Sequence, residues 1–257
     1  MKFFNNLYMY RELLKTSVQK DVRGKYKNSI LGVVWSFLNP LLQIAVYAFV
    51  FGRILNVGTE NYAVFICCGL IPWTFFCNAI NRSAYTIIEN GGIIKKVFFP
   101  REVLPISVVT AECVNFFIST IIIVAFVLLT GLGVSWTWIF YPIVLFVLYF
   151  FLIAISLLVS SITAYVRDIQ HFIGVLLQLM FYATPIAYES SRVPETFQWI
   201  VRLNPVAYVI EAFRSIFINH TIPNVSGLGI MFLISIVLFM INYAVFEKLQ
   251  KNFAEQF

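Results

Sequence analysis

Long stretches of this chain carry no Asp, Glu, Lys or Arg: residues 28–52, 61–81, 103–166 with Glu112 as the sole interruption, 169–188 and 225–246. A bilayer crossing needs about 20 apolar residues, so the 103–166 run is too long for one crossing. It breaks at the turn-like cluster Thr130-Gly131-Leu132-Gly133-Val134-Ser135. The pattern therefore predicts six spans, at 30–52, 62–82, 102–129, 137–165, 169–188 and 225–246. Helices are the predicted form, because backbone groups in hydrocarbon must be satisfied within each segment. The runs do not alternate as barrel strands do.

Composition agrees. The 257 residues are 60% hydrophobic and 12% charged, with a mean hydropathy of +0.86. Soluble domains carry about 25% charged residues, so a soluble globule, a disordered chain and a coiled coil are excluded. The fold class read from sequence is an all-α polytopic membrane protein in a single domain over 1–257. The net charge of +6 matches acidic lipid headgroups rather than nucleic acid. Of the basic residues, fourteen fall on the side of the two termini and only Arg53, Arg192, Arg202 and Arg214 on the other. That bias places both termini in the cytoplasm. Cys67, Cys68, Cys77 and Cys113 lie in apolar runs without metal-ligand spacing and read as small buried residues. No cleavable signal peptide is expected, since polar and basic residues precede the first apolar run.

Three non-spanning pieces stand out. In the 1–28 segment, Phe3, Leu7, Tyr10, Leu14 and Val18 recur at helical spacing while Arg11, Lys15 and Lys20 fall elsewhere on the turn. This is the pattern of an amphipathic helix lying in the interface. Residues 83–100 read as a short cytoplasmic helix through Ile87, Ile88 and Glu89, a stop at Asn90-Gly91-Gly92, and then an apolar run through Ile93, Ile94, Val97, Phe98 and Phe99. Pro100 is placed at the start of the third span. An apolar cytoplasmic loop needs cover from lipid or protein. Residues 193–220, on the outer side, are too short and too charged to cross. Asn204-Pro205 is a helix-start signal, and Glu211 and Arg214 can pair three residues apart. A pair of re-entrant helices fits.

The chain has no phosphate loop, no dinucleotide fingerprint and no H-E-x-x-H motif. A machine using ATP would need an ATPase in another chain. Glu112 admits two readings: a proton or ion relay, or a buried group hydrogen-bonded to a neighbouring helix. The 27 Phe, 13 Tyr and 5 Trp supply lipid-facing and interfacial rings. They also suit a conduit in which sugar C–H faces slide over aromatic faces, with Trp35, Tyr47, Trp73, Tyr182 and Tyr188 as lining candidates.

Asn90-Gly-Gly-Ile-Ile-Lys-Lys-Val-Phe-Phe-Pro-Arg-Glu-Val-Leu-Pro105 resembles a signature of the ABC-2-type permeases that export O-antigens, capsules and teichoic acids. Arg23-Gly-Lys-Tyr-Lys-Asn-Ser-Ile-Leu-Gly-Val-Val-Trp-Ser-Phe-Leu-Asn-Pro40 resembles the segment entering the first span. Leu203-Asn-Pro-Val-Ala-Tyr208, with Glu211, Phe213 and Arg214, resembles the outer gate. The likeness covers nearly the whole chain. It implies a transport subunit, not an enzyme. Two copies would pair with two ATPase subunits, which would bind ATP and Mg; this chain would hold no cofactor and no metal. The coupling contact would involve Thr86, Ile87, Ile88, Glu89, Ile93, Ile94, Lys95 and Lys96. The outer gate would include Trp199, Asn204, Pro205, Tyr208, Glu211 and Arg214. The cargo would be an undecaprenyl-diphosphate-linked glycan in the bacterial inner membrane, and Arg23, Lys25 and Lys27 would attract its headgroup. Rival readings are an ABC-2 exporter of a drug or small lipid, a proton-coupled transporter using Glu112, and a membrane enzyme acting on polyprenyl-linked sugars.

Overall fold

The computed structural model describes residues 2–24, 32–55 and 61–255. Helices dominate, and no strand occurs among the described residues. They are α1 (Lys2–Met9), α2 (Arg11–Gly24), α3 (Trp35–Tyr47), α4 (Tyr62–Glu89), α5 (Gly91–Ile94), α6 (Val103–Leu129), α7 (Tyr141–Tyr165), α8 (Ile169–Ala183), α9 (Gln198–Leu203), α10 (Pro205–Phe217) and α11 (Val225–Leu249). A wider, π-type turn continues α3 over Ala48–Ile54.

Among the described residues, five helical stretches are long and apolar enough to cross a membrane: Trp35–Ile54, Tyr62–Glu89, Val103–Leu129, Trp136–Tyr165 and Val225–Phe253. The predicted span at 169–188 is shorter than expected. Its helix stops at Ala183 because Thr184 precedes Pro185 and is held extended, at φ −101° and ψ 133°. At 15 residues it reaches only about 22 Å, short of a hydrocarbon core of roughly 30 Å. The break after α6 falls where the sequence placed it, with Gly131 and Gly133 at φ +75° and +77°, where a side chain would be strained.

Helix α4 forms the centre of the bundle, packed by α6, α7, α10, α3 and α8, while α11 lies along α7. It does not stop at residue 82. It runs unbroken to Glu89, where Asn90 caps it, its Nδ2 donating to the Thr86 carbonyl at 2.8 Å. The separate helix predicted after residue 83 is thus the last part of α4, followed by the one-turn α5. Along Trp35–Ile54 only 6% of the apolar stretch is buried by the rest of the chain, against 78% in α4. The first span therefore leaves most of its circumference open.

The N-terminal amphipathic stretch is two helices jointed at Tyr10. Phe3 is buried against Phe239 and Tyr243 of α11, with ring centroids 5.0 and 5.3 Å away. Leu7, Tyr10 and Leu14 pack against the core, and Arg11, Lys15 and Lys20 face out. Helix α2 lies against α6. The end of the bundle holding α1, α2 and the 90–102 loop is the lower end below; the 184–204 segment marks the upper end.

Candidate functional site

A cavity of about 600 Å³ opens between α3, α4 and α6. Each helix contributes one face. Trp35, Ser36, Asn39 and Gln43 come from α3, Thr74, Asn78 and Arg82 from α4, and Glu112, Asn115 and Ser119 from α6. Spacings of three, four and seven put such residues on one side of a helix. At its base, Arg82 Nη1 donates to Glu112 Oε1 at 2.7 Å, and Arg82 Nη2 lies 3.3 Å from Asp21 Oδ1 on α2. Asn115 Nδ2 donates to the other Glu112 oxygen at 3.3 Å. Glu112 is 1% exposed, so a cation beside it offsets much of the cost of burying a carboxylate. Burial raises the Asp21 carboxyl above its ordinary value of 3.8, and the Arg82 guanidinium opposes the rise. The sequence pattern ends the second span at Arg82, whereas α4 continues seven residues past it. The membrane partner of Arg82 was missed, together with Asn39, Gln43, Asn78 and Ser119; their helical spacing was the available signal.

The upper end is closed by the chain folding back. Asn204 caps α10, accepting from the Val206 N–H at 3.0 Å, and Pro205 takes the first helical position. Asn204 Nδ2 also donates to Thr184 Oγ1 at 2.7 Å. Arg214, 3% exposed, donates from Nη2 to the Ile186 carbonyl at 2.8 Å and from Nη1 to Glu211 at 3.3 Å. Its guanidinium carbon lies 3.5 Å from the centroid of the Phe65 ring, a cation–π contact. Ser190 Oγ donates to the same Glu211 oxygen at 2.6 Å. Tyr62 on α4 donates to the Ala187 carbonyl at 2.8 Å. Irregular backbone over 184–188 thus finds its partners inside the protein. Trp199 and Tyr208 sit nearer the surface, Trp199 exposed and the Tyr208 hydroxyl donating to the Arg202 carbonyl at 2.9 Å.

The aromatic candidates fall into three places. Trp35 belongs to the polar cavity. Tyr47, Trp73 and Tyr182 share a groove of about 380 Å³ with Phe181, Cys77 and Asn81. Tyr182 and Tyr188 line another of about 440 Å³ beside Pro194 and Phe197. Trp73 is itself buried, against Phe76 and Phe181.

The loop after α4 divides its candidates sharply. Thr86, Ile87 and Ile94 are buried in this chain, Ile94 at 4%; Ile88 is half-buried. Glu89, Lys95 and Lys96 are exposed, and Ile93 is 50% exposed. Among the described residues the most open apolar side chain is Phe98, at 92%, beside exposed Val97. Lys20 reaches Asn90 Oδ1 at 3.4 Å, tying the loop's start to α2. Arg23 is exposed near the end of α2; Lys25 and Lys27 lie outside the described residues. The cysteines are free thiols, and no cluster of three His, Cys, Asp or Glu suited to a metal occurs among the described residues.

The described residues form a helical bundle with several membrane-length helices, an upper segment folded back on it, a jointed N-terminal helix and an exposed apolar loop. The profile of the ABC-2 type transporter family matches residues 12–218. The chain belongs to that family. Among known proteins it is similar to an O-antigen export system permease protein of Klebsiella pneumoniae, 36% identical over 99% of this chain and 98% of the relative. A permease protein of the same description from Myxococcus xanthus is 31% identical over 99% of both chains. The polysialic acid transport protein of Escherichia coli is 23% identical over 92% of this chain and 94% of that protein. As an ABC-2 transporter chain with several membrane-length helices, it is a multi-pass membrane protein.

Proposed function

We propose that this ABC-2 chain is the membrane subunit of an ATP-driven exporter of a lipid-linked polysaccharide. The observation that carries the reading is end-to-end likeness to O-antigen export permeases. In this reading the chain crosses the bacterial inner membrane six times, with 169–188 as the short fifth crossing and both termini in the cytoplasm. The distribution of basic residues supports that orientation. The lower end then faces the cytoplasm. Ile93, Val97 and Phe98 are too apolar to rest in water and offer an anchor for a nucleotide-binding ATPase. ATP and Mg belong to that partner. Two copies of each subunit assemble, and the open flank of α3 leaves room for the second copy.

The polymer enters with its undecaprenyl diphosphate end, drawn by Arg23, Lys25 and Lys27, and its sugars pass over the aromatic grooves. The 193–220 segment gates the outer side. The pairing of Glu112 with Arg82 weighs against a proton relay, which needs a carboxylate able to release its proton to a successor. The test is a tagged chain co-expressed with its neighbouring genes and purified in mild detergent, with a search for a co-purifying ATPase, alongside a deletion strain. We expect the ATPase to co-purify in equal amount and the deletion strain to lose surface polysaccharide while accumulating it inside. A permease that purifies alone, or a deletion that leaves surface polysaccharide intact, overturns the reading.

A further inference from the structure

The cavity between α3, α4 and α6 has no role in the aromatic path above, and its chemistry is distinctive. Asn39, Gln43 and Asn78 line it and make no side-chain hydrogen bond among the described residues. Asn39 and Gln43 are exposed on a membrane span and Asn78 is half-buried. Carboxamides facing hydrocarbon without partners are costly, so this face is wet or occupied. Among the described residues that line it, its one guanidinium sits between the carboxylates of Asp21 and Glu112. Against these described groups an anionic headgroup would meet two like charges around a neutralised cation. A neutral ligand rich in hydroxyls meets neither obstacle. Each hydroxyl donates and accepts, and so does each carboxamide. Trp35 also lines the cavity, and an indole is a surface on which a sugar's C–H side packs. The volume, about 600 Å³, lies in the usual range of ligand sites, roughly 300–1,000 Å³.

We infer that this cavity is a binding station for uncharged sugar residues of the exported polymer, in the lower half of the membrane. The inference rests on the polysaccharide-export reading. It assigns hydroxyl recognition to Asn39, Gln43 and Asn78, and leaves the lipid diphosphate to other groups.

Cysteine accessibility tests it. Cys67, Cys68, Cys77 and Cys113 are replaced by Ser or Ala in a background that still exports. Asn78→Cys and, separately, the nearly isosteric Ser119→Cys are then introduced; both positions line the cavity. Inside-out vesicles holding the assembled transporter without ATP are treated with a membrane-impermeant maleimide. One set comes from cells that make the polymer, the other from cells lacking the glycosyltransferase that starts it. We expect ready labelling in polymer-free vesicles and a several-fold loss of labelling when polymer fills the transporter. Equal labelling in both sets shows a water-filled space that the polymer does not use. No labelling in either shows a face closed by lipid or by the second copy. Both results overturn the inference and leave the export reading untouched. That reading fails separately, if deleting the gene leaves surface polysaccharide unchanged.

Discussion

Arg82 and Glu112, 30 residues apart on α4 and α6, meet at 2.7 Å and lock two membrane helices together at the base of a polar cavity. Because Glu112 is 1% exposed, removing its partner leaves a buried carboxylate with much less compensation. A fully buried pair broken on one side costs about 3–5 kcal/mol. Arg82 is 34% exposed in its side chain, so Arg82→Ala is expected to cost less, about 2–3 kcal/mol. Glu112→Gln, which removes the charge and keeps a hydrogen-bond acceptor, is expected to be milder. The double variant should recover part of the loss. Thermal unfolding in detergent, followed by fluorescence-detected gel filtration, reads all three.

Asp21 gives the same cluster a pH signature. Its carboxyl titrates above 3.8 in the folded chain, burial outweighing Arg82. The folded state thus holds the Asp21 proton more tightly than the unfolded chain does. The stabilising contribution is complete below the unfolded value and is lost as pH rises through the folded one. At neutral pH the charged carboxylate therefore opposes docking of α2. Asp21→Asn is expected to melt at or above wild type at pH 7, with the gap closing below pH about 4. A variant that melts well below wild type at pH 7 would show that the pair with Arg82 outweighs burial.

Most of the bundle was legible because membrane spans announce themselves as charge-free runs. The turn at Thr130–Ser135 and the start at Asn204-Pro205 were legible because glycine, asparagine and proline act through local backbone chemistry. The course of α4 was not. Counting charges ends the span at Arg82, whereas its partners Asp21 and Glu112 are distant in sequence and are brought to it only by packing. The early end of α8 was written in Thr184-Pro185, but its apolar residues continue to Tyr188 and mask the break. The polar cavity was hidden for a similar reason. Asn39, Asn78 and Asn115 look scattered along the chain, and only the juxtaposition of three helices makes one surface of them.

The upper fold-back depends on Gly69. A Cβ built there would sit 2.9 Å from the Ile186 carbonyl oxygen and 3.3 Å from Arg214 Nη2. The first contact is with backbone and cannot swing aside. Gly69→Ala is expected to push the 184–188 segment off α4, at a cost of about 1–3 kcal/mol, and to weaken the Arg214–Ile186 hydrogen bond. The expected readout is a lower melting temperature and faster proteolysis between residues 184 and 204. Wild-type values for both would show that the segment can shift without loss.

The loop after α4 separates packing from partner contact by neighbouring residues. Ile94 is 4% exposed and Ile93 is 50% exposed, while Phe98 stands 92% exposed a few residues on. Ile94→Asp buries a charge with no described partner and is expected to cost more than about 3 kcal/mol, reducing the amount of folded permease. Ile93→Asp and Phe98→Asp lie on the surface and are expected to change stability by no more than about 0.5 kcal/mol. Under the export reading they nevertheless remove an apolar anchor. Permease with either change should reach the membrane in normal amount, capture at least tenfold less ATPase in the co-purification, and export little polymer. Normal ATPase capture by the Phe98→Asp protein would place the docking contact elsewhere on the lower end, whereas a loss of protein from the membrane would mean that Phe98 is covered in the assembled chain.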